Sequence, residues 1–296
     1  MRALVSGGTG QVGCFIVEDL LSQGHQVTIG GRTAPPAELF SRPVEHTPMT
    51  LDPGREQAGA FDAIDWFIHG AFDHLPGKYR GGEGDDPEGF RARNLEGSVR
   101  LFETARAAGV GRCVFLSSRA VYGPQPGSAL VSETAQPQPD TLYGTVKLEA
   151  ERALAAMAGP GFVTASLRIT GVYGAARPGQ PHKWQQLFSD YLSGRPIKPR
   201  AGTEVHGGDV ACAVRMMLDL DPDAVTGMAF NVSDLLLDRH DLLAVLREIS
   251  GCRHPLPAPV ADTASWQMDT RRLRALGWSP GGRPLLAKAV RAMYRG

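Results

Sequence analysis

Apolar residues occur in short continuous runs along the first half of the chain, and segments of helical periodicity separate these runs. Such runs are typical of parallel strands that a sheet buries on both faces. The predicted strands are residues 3–5, 26–29, a short one ending near 51–52, 65–69, 113–116 and 162–167. The intervening segments repeat their apolar residues as an amphipathic helix does. The predicted helices among them are residues 14–21, 94–108 and 143–157.

This alternation of strand and helix predicts an α/β fold, a doubly wound parallel sheet of Rossmann type with right-handed crossovers. The alternation loosens beyond residue 174. Helices are predicted there at 184–193, at 209–218 behind an Asp209 N-cap, at 241–250 and in a short segment that Asp269 caps, with a strand at 229–232. We therefore predict a dinucleotide-binding domain over 1–174. A smaller C-terminal α/β substrate lobe should occupy 175–296, with part of it returning to the first domain.

A glycine-rich turn lies between the first strand and the first helix. Gly7, Gly10 and Gly13 recur at every third position there. The first glycine allows a sharp turn off the strand, the second a close approach of backbone N–H groups to a pyrophosphate, and the third close packing of helix on strand. The helix N-terminus adds a positive dipole end. We expect this turn, with Thr9, Gln11 and Val12, to bind a dinucleotide, whereas a βα turn without ligand is the alternative.

The end of the second strand bears on which dinucleotide is bound. An acidic residue usually stands there and binds the ribose 2′-hydroxyl. This chain has Gly30-Gly31 followed by Arg32, and a guanidinium suits a 2′-phosphate. The sequence therefore favours NADP, with NAD as the alternative if Arg32 is a solvated loop residue. Asp52 is expected beside the adenine.

Composition narrows the class of protein. The chain has 296 residues, 42% hydrophobic and 21% charged, as is ordinary for a soluble globular enzyme. Its formal net charge of zero provides no basic field for nucleic acid or an acidic membrane surface. No leader and no bilayer-length apolar run is evident, so we expect a cytoplasmic protein. The four cysteines form no CxxC pair, and we expect reduced thiols and no metal site.

Three side chains form a candidate catalytic set. Ser118 ends the fifth strand, and Tyr143 and Lys147 lie four apart on one helical face. A free phenol is a weak base at neutral pH, and a nearby ammonium favours its phenolate. That phenolate can take the proton of an alcohol while the carbon gives hydride to a nicotinamide. Ser118 can hold the same oxygen. The alternatives are a surface contact for the Tyr–Lys pair and a turn cap for the serines.

Four motifs together resemble the extended short-chain dehydrogenases/reductases, the family of NAD-dependent epimerases and dehydratases. They are Gly7-x-x-Gly10-x-x-Gly13, Ser117-Ser118-x-x-Val121-Tyr122-Gly123, Tyr143-Gly144-x-x-Lys147 and Arg168-x-x-Gly171-Val172-Tyr173-Gly174. The resemblance implies that Ser118, Tyr143 and Lys147 are catalytic and that Asn94 supports the active site. It implies that His69-Gly70-Ala71 is a coenzyme-lining turn, although we favour a hydrogen-bonded structural role for His69.

The expected cofactor contacts also include Ser117, Ile169 and Thr170, with Tyr143 and Lys147 at the nicotinamide end. Members of the family often dimerise through the helices that carry Asn94 and Tyr143, so a homodimer is implied by similarity. The loop 74–89 and the smaller lobe should bind the small-molecule substrate.

Departures from the family pattern bear on the reaction. Arg119 and Ala120 replace the Asp-Glu pair of the dehydratases, so dehydration is not expected. Gly171 replaces an asparagine that holds the substrate diphosphate in the epimerases. The epimerases also tend to carry an arginine shortly before the segment that begins here at His206, and that position falls near Gly202. Three cations could substitute: Arg177, Lys183 and Arg195.

The leading hypothesis is an NAD(P)-dependent oxidoreductase that acts on a secondary alcohol or ketone of a small polar or sugar-like substrate. A redox-neutral nucleotide-sugar epimerase is the runner-up. A non-catalytic cofactor-sensing protein is a third interpretation, but such proteins typically lose the tyrosine or the lysine.

Overall fold

A computed structural model describes residues 1–75, 82–125, 130–177, 179, 182–261 and 267–295. The strands are β1 (Arg2–Ser6), β2 (Gln26–Gly31), β3 (Glu45–Pro48), β4 (Trp66–His69), β5 (Arg112–Ser118), β6 (Val163–Ile169), β7 (Gly171–Tyr173), β8 (Ala201–His206), β9 (Met228–Val232) and β10 (Leu235–Asp238). The α-helices are α1 (Gln11–Ser22), α2 (Pro87–Arg91), α3 (Gly97–Ala107), α4 (Leu142–Ala156), α5 (Gln185–Leu192), α6 (Gly207–Asp219), α7 (Pro222–Val225), α8 (Arg239–Ser250), α9 (Arg271–Ala275) and α10 (Gly282–Arg295).

A seven-stranded parallel sheet forms the centre of the fold, in the order β3-β2-β1-β4-β5-β6-β9. Its strands bury both faces because successive residues enter two different cores. Val5 belongs to the core that holds residues of α1 and α6, whereas Leu4 belongs to the core that holds residues of α3 and α4. This arrangement confirms the doubly wound α/β fold that the continuous apolar runs predict.

A second, three-stranded sheet lies in the smaller lobe, in the order β10-β8-β7. β7 pairs with β8 in parallel, and β8 pairs with β10 in antiparallel orientation. Its core is formed by aromatic and aliphatic side chains of β7, α5, α8 and α10, among them Tyr173, Trp184 and Leu243. β7 and β10 have only three and four residues, and β8 has no continuous apolar run, so the sequence pattern does not predict them.

The elements beyond residue 174 pack against both sheets. α6 packs in the core of α1, and β9 pairs with β6 at the edge of the large sheet. α5, α8 and α10 build the small lobe. Leu273 of α9 and Trp278 belong to the core of α1 as well, so within 175–296 both the stretch from α6 to β9 and the segment around α9 pack with the large sheet.

Several predicted boundaries differ from the observed ones. The third strand is Glu45–Pro48 and does not extend to 51–52. The predicted helix 94–108 begins earlier, at Pro87, and passes through a π-helical turn, Ala92–Glu96, before α3. Six residues of the predicted loop 74–89, residues 76–81, lie outside the described part of the chain.

Two predicted caps also differ. α6 is capped by His206, whose Nδ1 accepts a hydrogen bond from the Gly208 N–H at 3.1 Å. Asp209 lies inside that helix, where its carboxylate accepts from the Gly281 N–H. Thr270 holds the N-cap position of α9, and Asp269 before it accepts from the Arg271 N–H. None of the helices in the described ranges is long and apolar enough to cross a membrane.

Candidate active site

One cavity of about 1010 Å³ lies at the carboxyl ends of the large sheet's strands. This edge is where open α/β sheets bind ligands. The turn after β1, the end of β2, the segment after β4, the ends of β5 and β6 and the N-terminus of α4 all line it. The sequence motifs therefore converge on a single space.

The glycine turn has the shape of a phosphate cradle. Gly7 has φ +71°, and a Cβ on Gly13 would lie 2.2 Å from the Gly7 carbonyl oxygen. A Cβ on Gly10 would meet that oxygen only at 3.3 Å. Gly10 caps α1 without a side-chain hydrogen bond, so the first turn keeps N–H groups for an anion. The backbone thus fits the pyrophosphate of a dinucleotide.

Every predicted residue of this turn lines the cavity: Gly7, Thr9, Gly10, Gln11, Val12 and Gly13. Arg32 also lines it, as an exposed side chain directly after β2. Asp52 does not. Its carboxylate accepts a hydrogen bond from the Gly54 N–H at 3.0 Å in an exposed turn, and Thr50 and Leu51 face the cavity instead.

His69 stands behind the cavity. It is fully buried and hydrogen-bonded to Ser6 Oγ at 2.7 Å and to Ser98 Oγ at 2.9 Å. Burial, and then the charge of Lys147, lowers its pKa to about 3, so the ring is neutral at physiological pH. Gly70 and Ala71 line the cavity, whereas His69 does not. The geometry matches the structural role considered for this histidine and not a cofactor contact.

Lys147 is enclosed although it carries an ammonium group. It is 4% exposed, and its Nζ donates to the Leu116 carbonyl oxygen at 2.7 Å. The rings of Phe72 and Phe115 lie 4.5 and 4.6 Å from Nζ. Burial lowers the pKa of Lys147 to about 7, and the charge of Glu151 opposes that shift.

Tyr143 lies one turn before Lys147 on α4, which Thr141 caps by accepting a hydrogen bond from the Gly144 N–H at 3.1 Å. The ring of Tyr143 meets Phe72 edge to face at 5.0 Å. Phe72 therefore touches both residues of the Tyr–Lys pair. No sequence motif singled out this phenylalanine, because nothing local distinguishes it from a core aromatic residue.

Ser117 and Ser118 complete this end of the cavity, and both line it. Ser118 Oγ accepts a hydrogen bond from the Ala120 N–H at 3.1 Å, which leaves its own hydroxyl proton for donation. Ser117 Oγ is buried and has no hydrogen-bond partner within the described ranges. A polar atom orphaned in this way indicates a place where a bound molecule supplies the partner. Ile169 and Thr170 line the cavity beside these serines.

Asn94 stands outside the cavity lining, within the π-helical turn. Its Oδ1 accepts from the Asp73 N–H at 2.6 Å, and its Nδ2 donates to the Asp73 carbonyl oxygen at 2.7 Å. Arg93 donates to the Asp73 carboxylate at 2.6 Å. Asn94 thus anchors the segment that carries Phe72.

The three cations considered for a substrate diphosphate have acidic or carbonyl partners. Arg177 donates to the Glu38 carbonyl oxygen, and Arg195 pairs with Asp190 at 2.8 Å; neither arginine lines the cavity. Lys183 does line it, and its Nζ lies 2.5 Å from a Glu204 carboxylate oxygen. Across the described residues, no group of three or more His, Cys, Asp or Glu side chains could hold a metal ion.

Comparison with known proteins identifies the family to which the chain belongs. The family model described as "NAD dependent epimerase/dehydratase family" matches residues 3–233, which is more than half of the chain. The chain belongs to this family. The match confirms the resemblance to the extended short-chain dehydrogenases/reductases.

Individual relatives of the chain include both epimerases and dehydrogenases. The UDP-glucose 4-epimerase of Corynebacterium glutamicum is 28% identical over 309 residues, which cover 95% of this chain and 91% of that protein. The 3 beta-hydroxysteroid dehydrogenase/Delta 5-->4-isomerase of Mycobacterium tuberculosis is 32% identical over 255 residues, which cover 79% of this chain and 65% of that protein. The solved structure of MoeE5 in complex with UDP-glucose and NAD has a TM-score of 0.79 and 26% identity, covering 100% of this chain and 99% of that one.

Proposed function

We propose that the protein is an NADP(H)-linked oxidoreductase that transfers hydride between nicotinamide and a secondary alcohol or ketone of a small polar substrate. The observation that carries the proposal is the meeting of Ser118, Tyr143 and Lys147 with the glycine turn in one cavity. Membership of an NAD-dependent family and relatives that are epimerases and dehydrogenases support a nicotinamide cofactor and an enzymatic role.

The residues present fit a dinucleotide. The glycine turn and the N-terminus of α1 would hold its pyrophosphate, Arg32 a 2′-phosphate, and Lys147 the nicotinamide ribose. The bound nicotinamide gives or accepts the hydride. Arg32 favours NADP(H) because it follows Gly30-Gly31, which provides no carboxylate for a ribose 2′-hydroxyl.

The side chains around the cavity would transfer the proton to or from the substrate oxygen. In ketone reduction the Tyr143 hydroxyl protonates the substrate oxygen, and Ser118 donates a hydrogen bond to the same oxygen. The Lys147 ammonium stabilises the phenolate that is left, because its Nζ lies 6.0 Å from the centre of the Tyr143 ring. In alcohol oxidation the same groups work in reverse. A homodimer through the helical segments that carry Asn94 and Tyr143 stays a prediction from the family resemblance.

A redox-neutral nucleotide-sugar epimerase is the second candidate. The likeness to the UDP-glucose 4-epimerase of Corynebacterium glutamicum and to MoeE5 with bound UDP-glucose favours it. Against it stand the placement of Arg177 and Arg195 outside the cavity and the pairing of Lys183 with Glu204. A cofactor-sensing role without catalysis is less favoured because the chain retains both Tyr143 and Lys147.

The test is NADPH consumption, followed by the near-ultraviolet absorbance of reduced nicotinamide, across a panel of aldehydes, ketones and keto-sugars. We expect turnover with at least one ketone and a loss of roughly a hundredfold or more in Tyr143→Phe. Tyr294→Phe, at an exposed tyrosine of α10, is the matched control and should be unaffected. Turnover that survives in Tyr143→Phe contradicts the mechanism. Conversion of UDP-glucose without net NADPH consumption would favour the epimerase.

A further inference from the structure

The Lys183–Glu204 ion pair stands beside Gly171, the first residue of β7. Lys183 lines the cavity next to Gly171 and Val172. Its Nζ lies 2.5 Å from Glu204 Oε2, and the two side chains are 28% and 14% exposed. The Glu204 side chain is thus mostly buried, whereas Lys183 remains an exposed residue.

The fold brings this pair together over a glycine. Gly171 of β7 is in register with Glu204 of β8. A Cβ on Gly171 would lie 2.7 Å from Glu204 Oε2 and 2.8 Å from Lys183 Nζ. The two charged groups therefore occupy the space that any side chain at position 171 would need. Lys183 Nζ also lies 5.7 Å from the centre of the Trp184 ring, which fixes it further.

This arrangement determines which ligand groups fit. A phosphate that approached Lys183 would stand beside the Glu204 carboxylate and be repelled by it. Displacing Glu204 would leave a mostly buried carboxylate without its partner, which is costly. A hydroxyl group meets no such penalty, because it can donate to the carboxylate and accept from the ammonium at once.

We propose that the Lys183–Glu204 pair determines specificity, accepting an uncharged, hydroxyl-bearing substrate and excluding a nucleoside diphosphate. The proposal rests on the proposed function and names its substrate class. The net charge of the pair is zero, so it provides hydrogen bonds without attracting an anion. Glu204 is the deciding member, because without it Lys183 would be an unopposed cation in the cavity.

The experiment measures binding of UDP, the nucleotide portion of the ligand in the MoeE5 structure, by isothermal titration calorimetry. The full chain is first saturated with NADP⁺, so that UDP cannot enter the cofactor end. We expect weak or undetectable UDP binding to the wild type. Glu204→Gln should bind UDP at least roughly tenfold more tightly, the effect of one unopposed charge-assisted hydrogen bond.

Asp190→Asn is the matched control. It removes the carboxylate of the Asp190–Arg195 pair, which has a similar separation of 2.8 Å and lies outside the cavity. This variant should not gain UDP affinity. If Glu204→Gln does not fold, as judged by thermal melting and NADP⁺ binding, Glu204→Ala replaces it, because it also leaves Lys183 unopposed.

Tight UDP binding by the wild type overturns the proposal, and so does a folded Glu204 variant without gain. These outcomes are distinct from failure of the proposed function. Loss of UDP discrimination with intact NADPH turnover overturns only this inference. Absence of turnover with intact discrimination overturns only the oxidoreductase.

Discussion

Replacing Lys147 with methionine should make the nucleotide-free protein more stable at slightly acid pH while it abolishes catalysis. Lys147 is 4% exposed, and burial lowers its pKa from 10.5 to about 7. The folded protein therefore disfavours the ammonium that the unfolded chain carries. Methionine fills similar space without a charge, so the variant removes this penalty.

The magnitude follows from linkage between folding and protonation. A lowering from 10.5 to about 7 corresponds to about 5 kcal/mol against folding when the lysine must be charged. The variant also loses the hydrogen bond to the Leu116 carbonyl, at about 1–3 kcal/mol, and the contacts with Phe72 and Phe115, at about 1 kcal/mol. The net gain in unfolding free energy is about 1–3 kcal/mol near pH 6.

The sign of the pH dependence is fixed by the direction of the pKa shift. Between pH 7 and 10.5 the unfolded chain binds more protons at this site than the folded protein, so wild-type stability rises with pH. The advantage of Lys147→Met should therefore shrink by about 3 kcal/mol between about pH 6 and pH 9. At the upper end the variant should be no more stable than the wild type.

The assay is urea unfolding of both proteins at several pH values after removal of nucleotide. Lys198→Met, at an exposed lysine, is the matched control and should show no pH-dependent difference from the wild type. If Lys147→Met is less stable than the wild type near pH 6, or if the difference between them does not change with pH, then Lys147 does not carry a buried charge at neutral pH.

Two further predictions concern the cofactor end. Arg32→Ala should weaken NADP⁺ binding roughly tenfold to a hundredfold by loss of charge-assisted hydrogen bonds and leave NAD⁺ binding nearly unchanged. Calorimetry measures both affinities, and Arg42→Ala, at an exposed arginine outside the cavity lining, is the control. Equal losses for both nucleotides would argue against a 2′-phosphate site. Gly13→Ala should lower both stability and nucleotide affinity, because its Cβ would lie 2.2 Å from the Gly7 carbonyl oxygen, whereas Gly10→Ala should lower nucleotide affinity alone. Thermal melts with and without NADP⁺ separate the effect on stability from the effect on nucleotide affinity. Unimpaired NADP⁺ binding in Gly10→Ala would place the phosphate elsewhere.

Local patterns in the sequence predict most strands of the large sheet. The apolar runs of β1, β4 and β5 and the glycine turn are determined by residues close together in the chain, so periodicity and spacing reveal them. The same holds for Tyr143 and Lys147, which a single helix places one turn apart. The edge strand β3 has a polar sequence and no buried face to mark it, so its position was misjudged.

Periodicity and spacing do not predict contacts between distant parts of the chain. The hydrogen bonds of His69 with Ser6 and Ser98, and of Asn94 with the Asp73 backbone, exist only once the sheet and its helices assemble. The sequence pattern also could not show that Glu204 would lie beside Lys183. The pairing of β7 with β8 places Glu204 opposite Gly171, and Lys183, from the segment between β7 and α5, meets it only in the folded lobe.

The most direct test of the central claim is transfer of deuterium from NADPH labelled at the transferred position of its nicotinamide. The ketone that consumes NADPH is reduced with the labelled cofactor, and the released alcohol is examined by mass spectrometry. The account predicts one deuterium per product molecule formed by the wild type, and roughly a hundredfold or more less labelled product in the same time with Tyr143→Phe. Product without deuterium, or label that never leaves the protein while a nucleotide sugar is epimerised, would contradict it.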